Sequence, residues 1–319
     1  MDMSPKLQAA LEELMLPLSS KNLAEQAKVV SDRYRFQQRT GDSLLSQPDE
    51  AVAYALVRMP ATFGAVFDAL EQTLARTDPA AFRTLLDVGA GTGAATCAAA
   101  QLLSFQRIVC LERADAMRRI GQNLLSKSEI RPLPTWKNED LTHGLHTEKA
   151  DLVIASYMLN ELAEQSRITA LLSLWQATQK MLLIVEPGTP EGYRQIMRYR
   201  SVLLENGAFL IAPCPHHEPC PLSDKDWCHF SSRIARTKKH RRLKNAVLGY
   251  EDEKFCYLAA SKTPASSPVA RILRPVRIYP GHVHLTLCEP DGHAACVPVS
   301  KKDKDLYKKA KKAKWGSSF

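Results

Sequence analysis

The sequence predicts an α/β protein built on a parallel sheet, and three observations carry that expectation. Leu85-Leu86-Asp87-Val88 is a short apolar run, broken by one acid, that leads into the glycine-alternating turn Gly89-Ala90-Gly91-Thr92-Gly93. A strongly helix-forming stretch, Ala94 to Leu103, comes next, so strand, glycine-rich turn and helix appear in the order a dinucleotide or nucleoside site needs. Further apolar runs then alternate with helical stretches, the pattern of a sheet wound with crossover helices.

The first 80 residues read as an N-terminal helical cap. Leu7, Leu11, Leu14 and Met15 recur at helical spacing, as do Leu23, Ala27, Val30 and Tyr34. A helix through 53–62 is expected to break near Pro60 and to resume from Phe63 to Leu74. Tyr54 and Arg58 either face the mouth of a site or pack the cap. The α/β body is expected over 81–262. Its strands fall at Leu85–Val88, Ile108–Leu111, Leu152–Ala155 and Met181–Val185, with helices at 113–125 and 164–179 between them. Phe209–Ala212 and Phe255–Ala260 follow as a terminal hairpin.

Ligands of such sheets sit beyond the carboxyl ends of the strands. The glycines let the turn adopt unusual dihedrals and let a ligand approach the backbone without a Cβ in the way. Glu112 ends the second strand nineteen positions beyond Gly93, where a carboxylate can accept from both ribose hydroxyls. Beyond the fourth strand, Tyr157, Asn160 and Glu161 are candidates for the substrate side, although Asn160 and Glu161 equally suit the capping of the next helix.

Composition bounds the rest. At 319 residues with 45% hydrophobic and 24% charged content, the chain can bury a full α/β core and carry a smaller appendage. No apolar run approaches the roughly 20 residues of a membrane span. The N-terminus, Met1 to Lys6, leads into an acidic amphipathic stretch and matches neither a secretory signal nor an arginine-rich transit peptide, so a cytoplasmic protein is expected. Thiols there are reduced, and clustered cysteines then favour metal over disulfides.

One such cluster stands between the two strands of the terminal hairpin. Cys214, Cys220 and Cys228 lie with His216, His217 and His229 within sixteen residues of proline-rich loop, which favours metal ligation. After a linker, Ser261 to Pro268, residues 269–319 change character. Arg274–Tyr279 and His282–Cys288 alternate with period two, and Glu289-Pro290-Asp291-Gly292 is a turn, which suggests a small, OB-like β module. The net charge of +9 is uneven: residues 231–319 carry +13, leaving −4 for the rest. Two lysine- and arginine-rich runs, Arg233–Lys244 and Lys301–Lys314, together with Tyr307 and Trp315, fit a phosphate-tracking surface with stacking rings, and nucleic acid is the natural acidic partner.

The Asp87-Val88-Gly89-Ala90-Gly91-Thr92-Gly93 string resembles the first motif of the class I S-adenosylmethionine-dependent methyltransferases; a nicotinamide fingerprint would place its third glycine one position later. That resemblance implies a Rossmann-like sheet in which Asp87 helps hold the methionine end of the cofactor, Gly89, Gly91 and Gly93 pass beneath it, Glu112 holds the ribose and Asp140 lies beside the adenine. Arg58-Met59-Pro60-Ala61-Thr62, the glycine loop, the cysteine segments, Cys288-x-x-Asp291-Gly292 and the Tyr307 to Gly316 tail together resemble the methyltransferase-like assembly factors of the small ribosomal subunit, known in mitochondria and bacteria. This wider resemblance implies a 4Fe-4S cluster on Cys214, Cys220, Cys228 and Cys288, with zinc as the alternative, for which His216, His217 or His229 could replace a cysteine. It also implies association with small-subunit ribosomal RNA, and the unmatched transit peptide leads to a bacterial, cytoplasmic member, monomeric when free. Two catalytic signatures are missing from the sequence. The Asn/Asp-Pro-Pro-aromatic motif of base-amino methyltransferases is replaced by Ser156-Tyr157-Met158-Leu159, and the Pro213-Cys214 dipeptide lies inside the cysteine cluster. The catalytic residue and the acceptor atom are therefore unassigned, and a cofactor-binding factor without turnover is the competing reading.

Overall fold

The computed structural model describes residues 3–14, 29, 48–141, 144–145, 147–223, 225–243, 246–264 and 269–319. Met15, the recurrence of Leu23, Ala27, Val30 and Tyr34, the second half of the linker and Lys244 lie outside them.

Helix α1 (Pro5–Glu13) is capped by Ser4, whose hydroxyl accepts from the Leu7 N–H, and Pro5 occupies the first turn, where no N–H is needed. Helix α2 (Pro48–Leu74) corrects the expected break: it runs straight through Pro60. The ring removes one backbone bond, but Met59, Ala61, Phe63, Val66 and Leu70 are all buried, and this apolar burial outweighs the lost bond.

The body then alternates: β1 (Thr84–Val88), α3 (Ala94–Leu102), β2 (Arg107–Leu111), α4 (Asp115–Lys127), β3 (Thr135–Lys137), β4 (Ala150–Ser156), α5 (Glu164–Ala177), β5 (Thr178–Pro187), α6 (Pro190–Glu205) and β6 (Phe209–Ala212). Three further elements follow: β7 (Phe230–Ala235), α7 (Lys238–Leu243) and β8 (Tyr250–Ser261). The sheet order is β3-β2-β1-β4-β5-β8-β6, parallel from β3 through β5 and antiparallel where β8 joins. This is a Rossmann-like sheet, with the expected terminal hairpin formed by β6 and β8. Successive strand residues feed opposite layers. Leu85, Ile154 and Leu183 pack with α2 and α3, whereas Leu86, Val153, Leu182 and Tyr199 pack on the α5–α6 side.

Strand β7 was not expected. It pairs with the first half of β8, Phe230 opposite Phe255 through Ala235 opposite Tyr250, while β6 pairs with the second half. The cysteine-rich loop thus leaves the sheet from one segment and returns in another, both beside the same strand.

Residues 269–319 form a four-stranded antiparallel sheet of β9 (Arg271–Ile272), β10 (Arg277–Tyr279), β11 (His282–Cys288) and β12 (Ala294–Ser300), followed by α8 (Lys304–Lys312). Among the described residues this sheet is open, so the OB-like barrel is corrected to a sheet with one covering helix. Val283, Leu285 and Leu287 face Ala310 and Tyr307 in a small core of their own. Tyr307 is therefore packing, and Trp315 meets the His229 ring edge-on with centroids 5.1 Å apart, so neither expected stacking ring is free.

Candidate functional sites

The glycine turn is shaped by three left-handed residues, Gly89, Gly91 and Gly93, at φ 67°, 55° and 81°. A Cβ on Gly89 would clash with the Met158 Cβ at 2.7 Å, whereas Gly91 has ordinary space beside the Met117 methyl at 3.4 Å and is required by its left-handed backbone instead. Glu112 locks this turn to β2: its two carboxylate oxygens accept from the Gly91 N–H at 2.8 Å and the Ala114 N–H at 2.7 Å. Burial pushes the Glu112 carboxyl above the ordinary range, and these two N–H donors work against that rise. Gly89, Gly91, Glu112 and Asp140 line one open cleft of about 820 Å³, with Tyr54, Met117, Tyr157 and Met158 around them. Asp140 stands 3.6 Å from Arg113, which holds it at the rim.

Asp87 and Gly93 are placed otherwise than expected. Asp87 is fully buried beneath the turn, where one carboxylate oxygen accepts from the Thr96 N–H at 3.0 Å and its hydroxyl at 2.7 Å. It pins the start of α3 rather than lining the cleft. Burial raises it to about 6, against the lowering effect of the Thr96 bonds. Gly93 packs on Leu125 behind the loop.

Of the candidates beyond β4, Asn160 turns inward and donates from its amide to buried Glu186, and Glu161 lines the cleft. Tyr157 has a left-handed backbone, φ 56°, rare for a residue with a bulky side chain. Its hydroxyl donates to Glu253 at 3.2 Å, and Arg58 clasps the same carboxylate at 3.0 and 3.3 Å while lying 5.8 Å from the Tyr157 ring centre. Although burial opposes its charge, Glu253 holds the Arg58 guanidinium above its ordinary range. Burial and then Glu253 push the Tyr157 phenol well up. The clasp joins α2 to β8 across 195 residues, a separation that no local motif encodes.

The second site is a small pocket in which Cys214, Cys220, Cys228 and Cys288 all form part of the wall. Tyr193 donates to the Cys220 sulfur at 3.2 Å, and the Cys256 thiol donates to the Cys228 carbonyl at 3.1 Å. Burial, and then the other three thiols of the set together with Cys256, push Cys228 well above the ordinary thiol range. Cys288 is raised to about 12, first by burial and then by Cys214 and Cys220. Among the described residues, no three His, Cys, Asp or Glu side chains stand close enough to share a single metal ion. Of the three histidines weighed for zinc, only His216 approaches a cysteine, 3.3 Å from the Cys288 sulfur. His217 accepts from the Leu210 N–H, and the His229 ring stacks on Trp227. Arg200 and Arg271, absent from the expected set, also line this pocket. Cys97 and Cys110 are buried in the body, as expected of small hydrophobes.

A family described as mitochondrial small ribosomal subunit Rsm22 matches residues 48–319. The chain belongs to the Rsm22 family. Among its relatives, a human protein named "Ribosome assembly protein METTL17, mitochondrial" is 30% identical over 285 residues, covering 83% of this chain and 61% of the human protein. A fission-yeast protein named "Rsm22-cox11 tandem protein 2, mitochondrial" is 27% identical over 244 residues, covering 62% of this chain and 31% of that protein. The Rsm22-family chain thus spans about three fifths and about a third of these two relatives. The cytoplasmic expectation is corrected by the same finding, since the family and both relatives carry mitochondrial names.

Solved structures similar to this chain include a Synechocystis magnesium protoporphyrin IX methyltransferase with bound S-adenosylmethionine, at 14% identity and TM-score 0.42, covering 75% of this chain and 97% of that one. Another is a putative RNA methyltransferase from Pyrococcus horikoshii, at 13% identity and TM-score 0.39, covering 75% and 96%. No described helix is long and apolar enough to cross a membrane.

Proposed function

We propose that the chain binds S-adenosylmethionine at Gly89, Gly91, Glu112 and Asp140, with Asp87 and Gly93 shaping the loop from behind, and acts with the small ribosomal subunit and its ribosomal RNA in assembly or translation. The observation that carries this reading is the cleft itself: a glycine-floored hollow at the carboxyl ends of β1, β2 and β4, bordered by one acid suited to a ribose and another suited to an adenine edge. When bound, the cofactor would supply an electrophilic methyl group. The chain's own residues bind it, hold the loop open and exclude side chains from the floor.

Calorimetry on the full chain tests this. Glu112→Ala removes the ribose acceptor and loosens Gly91, so cofactor affinity should fall about tenfold, the scale of a lost charge-assisted hydrogen bond. Equal affinity in the variant, or preference for a nicotinamide dinucleotide, would sink the assignment.

A reading without turnover has a specific observation behind it. Tyr157 and Asn160, the polar groups beyond β4 that an acceptor would need, are engaged by Glu253 and Glu186. Immature small subunits incubated with labelled cofactor distinguish the two. Transferred methyl label favours the methyltransferase, and its absence despite cofactor and RNA binding favours the assembly factor.

We further propose that Cys214, Cys220, Cys228 and Cys288 hold a 4Fe-4S cluster and that the free protein is a monomer. A lone tetrahedral zinc needs sulfurs about 3.8 Å apart, from Zn–S bonds of about 2.3 Å. Four thiols spread around one pocket, rather than gathered about a point, suit a multi-atom cluster better. Anaerobic preparations should be brown with about four irons per chain, and Cys288→Ser should lose most of that iron. A colourless protein with one zinc would overturn the cluster.

A further inference from the structure

The small C-terminal sheet has one face turned to its helix and one turned outward. Val283, Leu285 and Leu287 are buried against α8, so their alternates on β11, His282, His284 and Thr286, point to the other side. Register places Tyr279 of β10 directly opposite His282, and Arg277 opposite His284. The three rings form a contiguous cluster. Tyr279 and His282 are stacked within 15° at 5.2 Å, His282 lies 4.9 Å from His284, and Tyr279 lies 5.0 Å from His284. Tyr279 is 40% exposed, and both histidines keep part of their surface open.

Two cations adjoin the rings, and the nearest acid, Asp303, caps α8 by accepting from the Leu306 N–H. Arg277 is exposed on the same face, and exposed Lys301 follows the last residue of β12, its N–H bonded to the Gly281 carbonyl at the ring end of the sheet. The acids of the module's turn, Glu289 and Asp291, lie beyond the opposite end of β11.

We propose that Tyr279, His282 and His284 form a base-stacking platform for single-stranded RNA, with Arg277 and Lys301 taking the adjoining phosphates. The proposal rests on the ribosomal-RNA reading above and gives it a location. Flat rings on a sheet face attract bases by stacking, whatever their sequence, and only unpaired bases have faces to offer, because those of a duplex already cover one another. The alternative of a metal on His282, His284 and Cys296 is not favoured, since among the described residues no three such groups are arranged for one ion.

The test is titration of the full chain with a short oligouridine carrying one 2-aminopurine, whose fluorescence falls on stacking, and in parallel with small-subunit ribosomal RNA. The wild type should quench the probe. Tyr279→Ala and His284→Ala should each weaken binding roughly 5- to 150-fold, the range measured for one base–aromatic stack. Tyr279→Phe should retain it, which assigns the effect to the ring rather than the hydroxyl, and an unchanged urea midpoint in Tyr279→Ala separates a lost ring from a lost fold. The salt dependence of Tyr279→Ala should match wild type, because no phosphate contact has been removed. If wild type binds ribosomal RNA and both alanine variants bind it equally well, the platform is overturned while the ribosomal reading stands; a face serving a protein partner gives that result. If wild type binds neither RNA, both proposals fall.

Discussion

Arg271→Met should lower the stability of the folded chain by about 3–5 kcal/mol, the range for stripping a buried charged group from its partners. Arg271 is 1% exposed and ties three distant segments together. Its Nε donates to the Pro213 carbonyl at 3.0 Å, and one Nη donates to the Gly316 carbonyl at 2.8 Å and to Gln72 at 3.1 Å. Removing it leaves acceptors in α2, in the cysteine loop and in the C-terminal tail without a donor, at about 1–3 kcal/mol for each one that stays buried. The total is less than additive, because the substitution also relieves a buried charge and its repulsion of Arg76. Urea midpoints read the loss, and hydrogen exchange over 269–319 should accelerate first, since strand β9 hangs on this side chain. Arg271→Lys, which keeps the charge but not the fork, should fall between the two. An unchanged midpoint in Arg271→Met would mean that the module docks through its apolar contacts alone.

What could be read from the sequence divides by range. Glycine spacing and the acid at the end of the next strand are local signals, and they led to Gly89, Gly91 and Glu112, which do meet at one cleft. Asp87 was legible as a position but not as a role, because whether a strand-end carboxylate faces a ligand or the following helix depends on the rotamer the core allows. Strand β7 is hidden by its neighbours: Phe230 to Ala235 follows a cysteine segment and merges into a basic run, so its short alternation does not stand out in the sequence. Pro60 misled for a simpler reason, since the cost of a proline is local and the burial that offsets it is not. The Arg58–Glu253–Tyr157 clasp and the approach of Cys288 to a loop some 70 residues earlier are tertiary facts, fixed by sheet register rather than by any spacing. Tyr307 and Trp315 show the converse error. Basic runs with interleaved rings read alike whether the rings face solvent or a core, and here they face cores.

The stability difference between wild type and Asp87→Asn should itself depend on pH, shrinking or reversing as pH rises from about 4 to 7. The fold raises this carboxyl from 3.8 to about 6, chiefly by burial, so the folded chain favours its protonated form. A group raised in the folded state contributes fully below its unfolded value and loses that contribution as pH climbs through the folded one. At about 1.4 kcal/mol per tenfold change in proton affinity, the loss comes to about 3 kcal/mol by neutral pH. The amide cannot ionise, yet its oxygen can still accept both Thr96 bonds, so the variant is spared this loss. Asp68, likewise raised to about 6, and the carboxylates held low, such as Asp151 and Asp252, are common to both proteins and cancel in the difference. Urea denaturation of the pair across this window isolates the one titration. Wild type should lose ground to the variant with rising pH, and a flat difference would mean that Asp87 stays ionised under the loop, balanced by a charge other than those now around it.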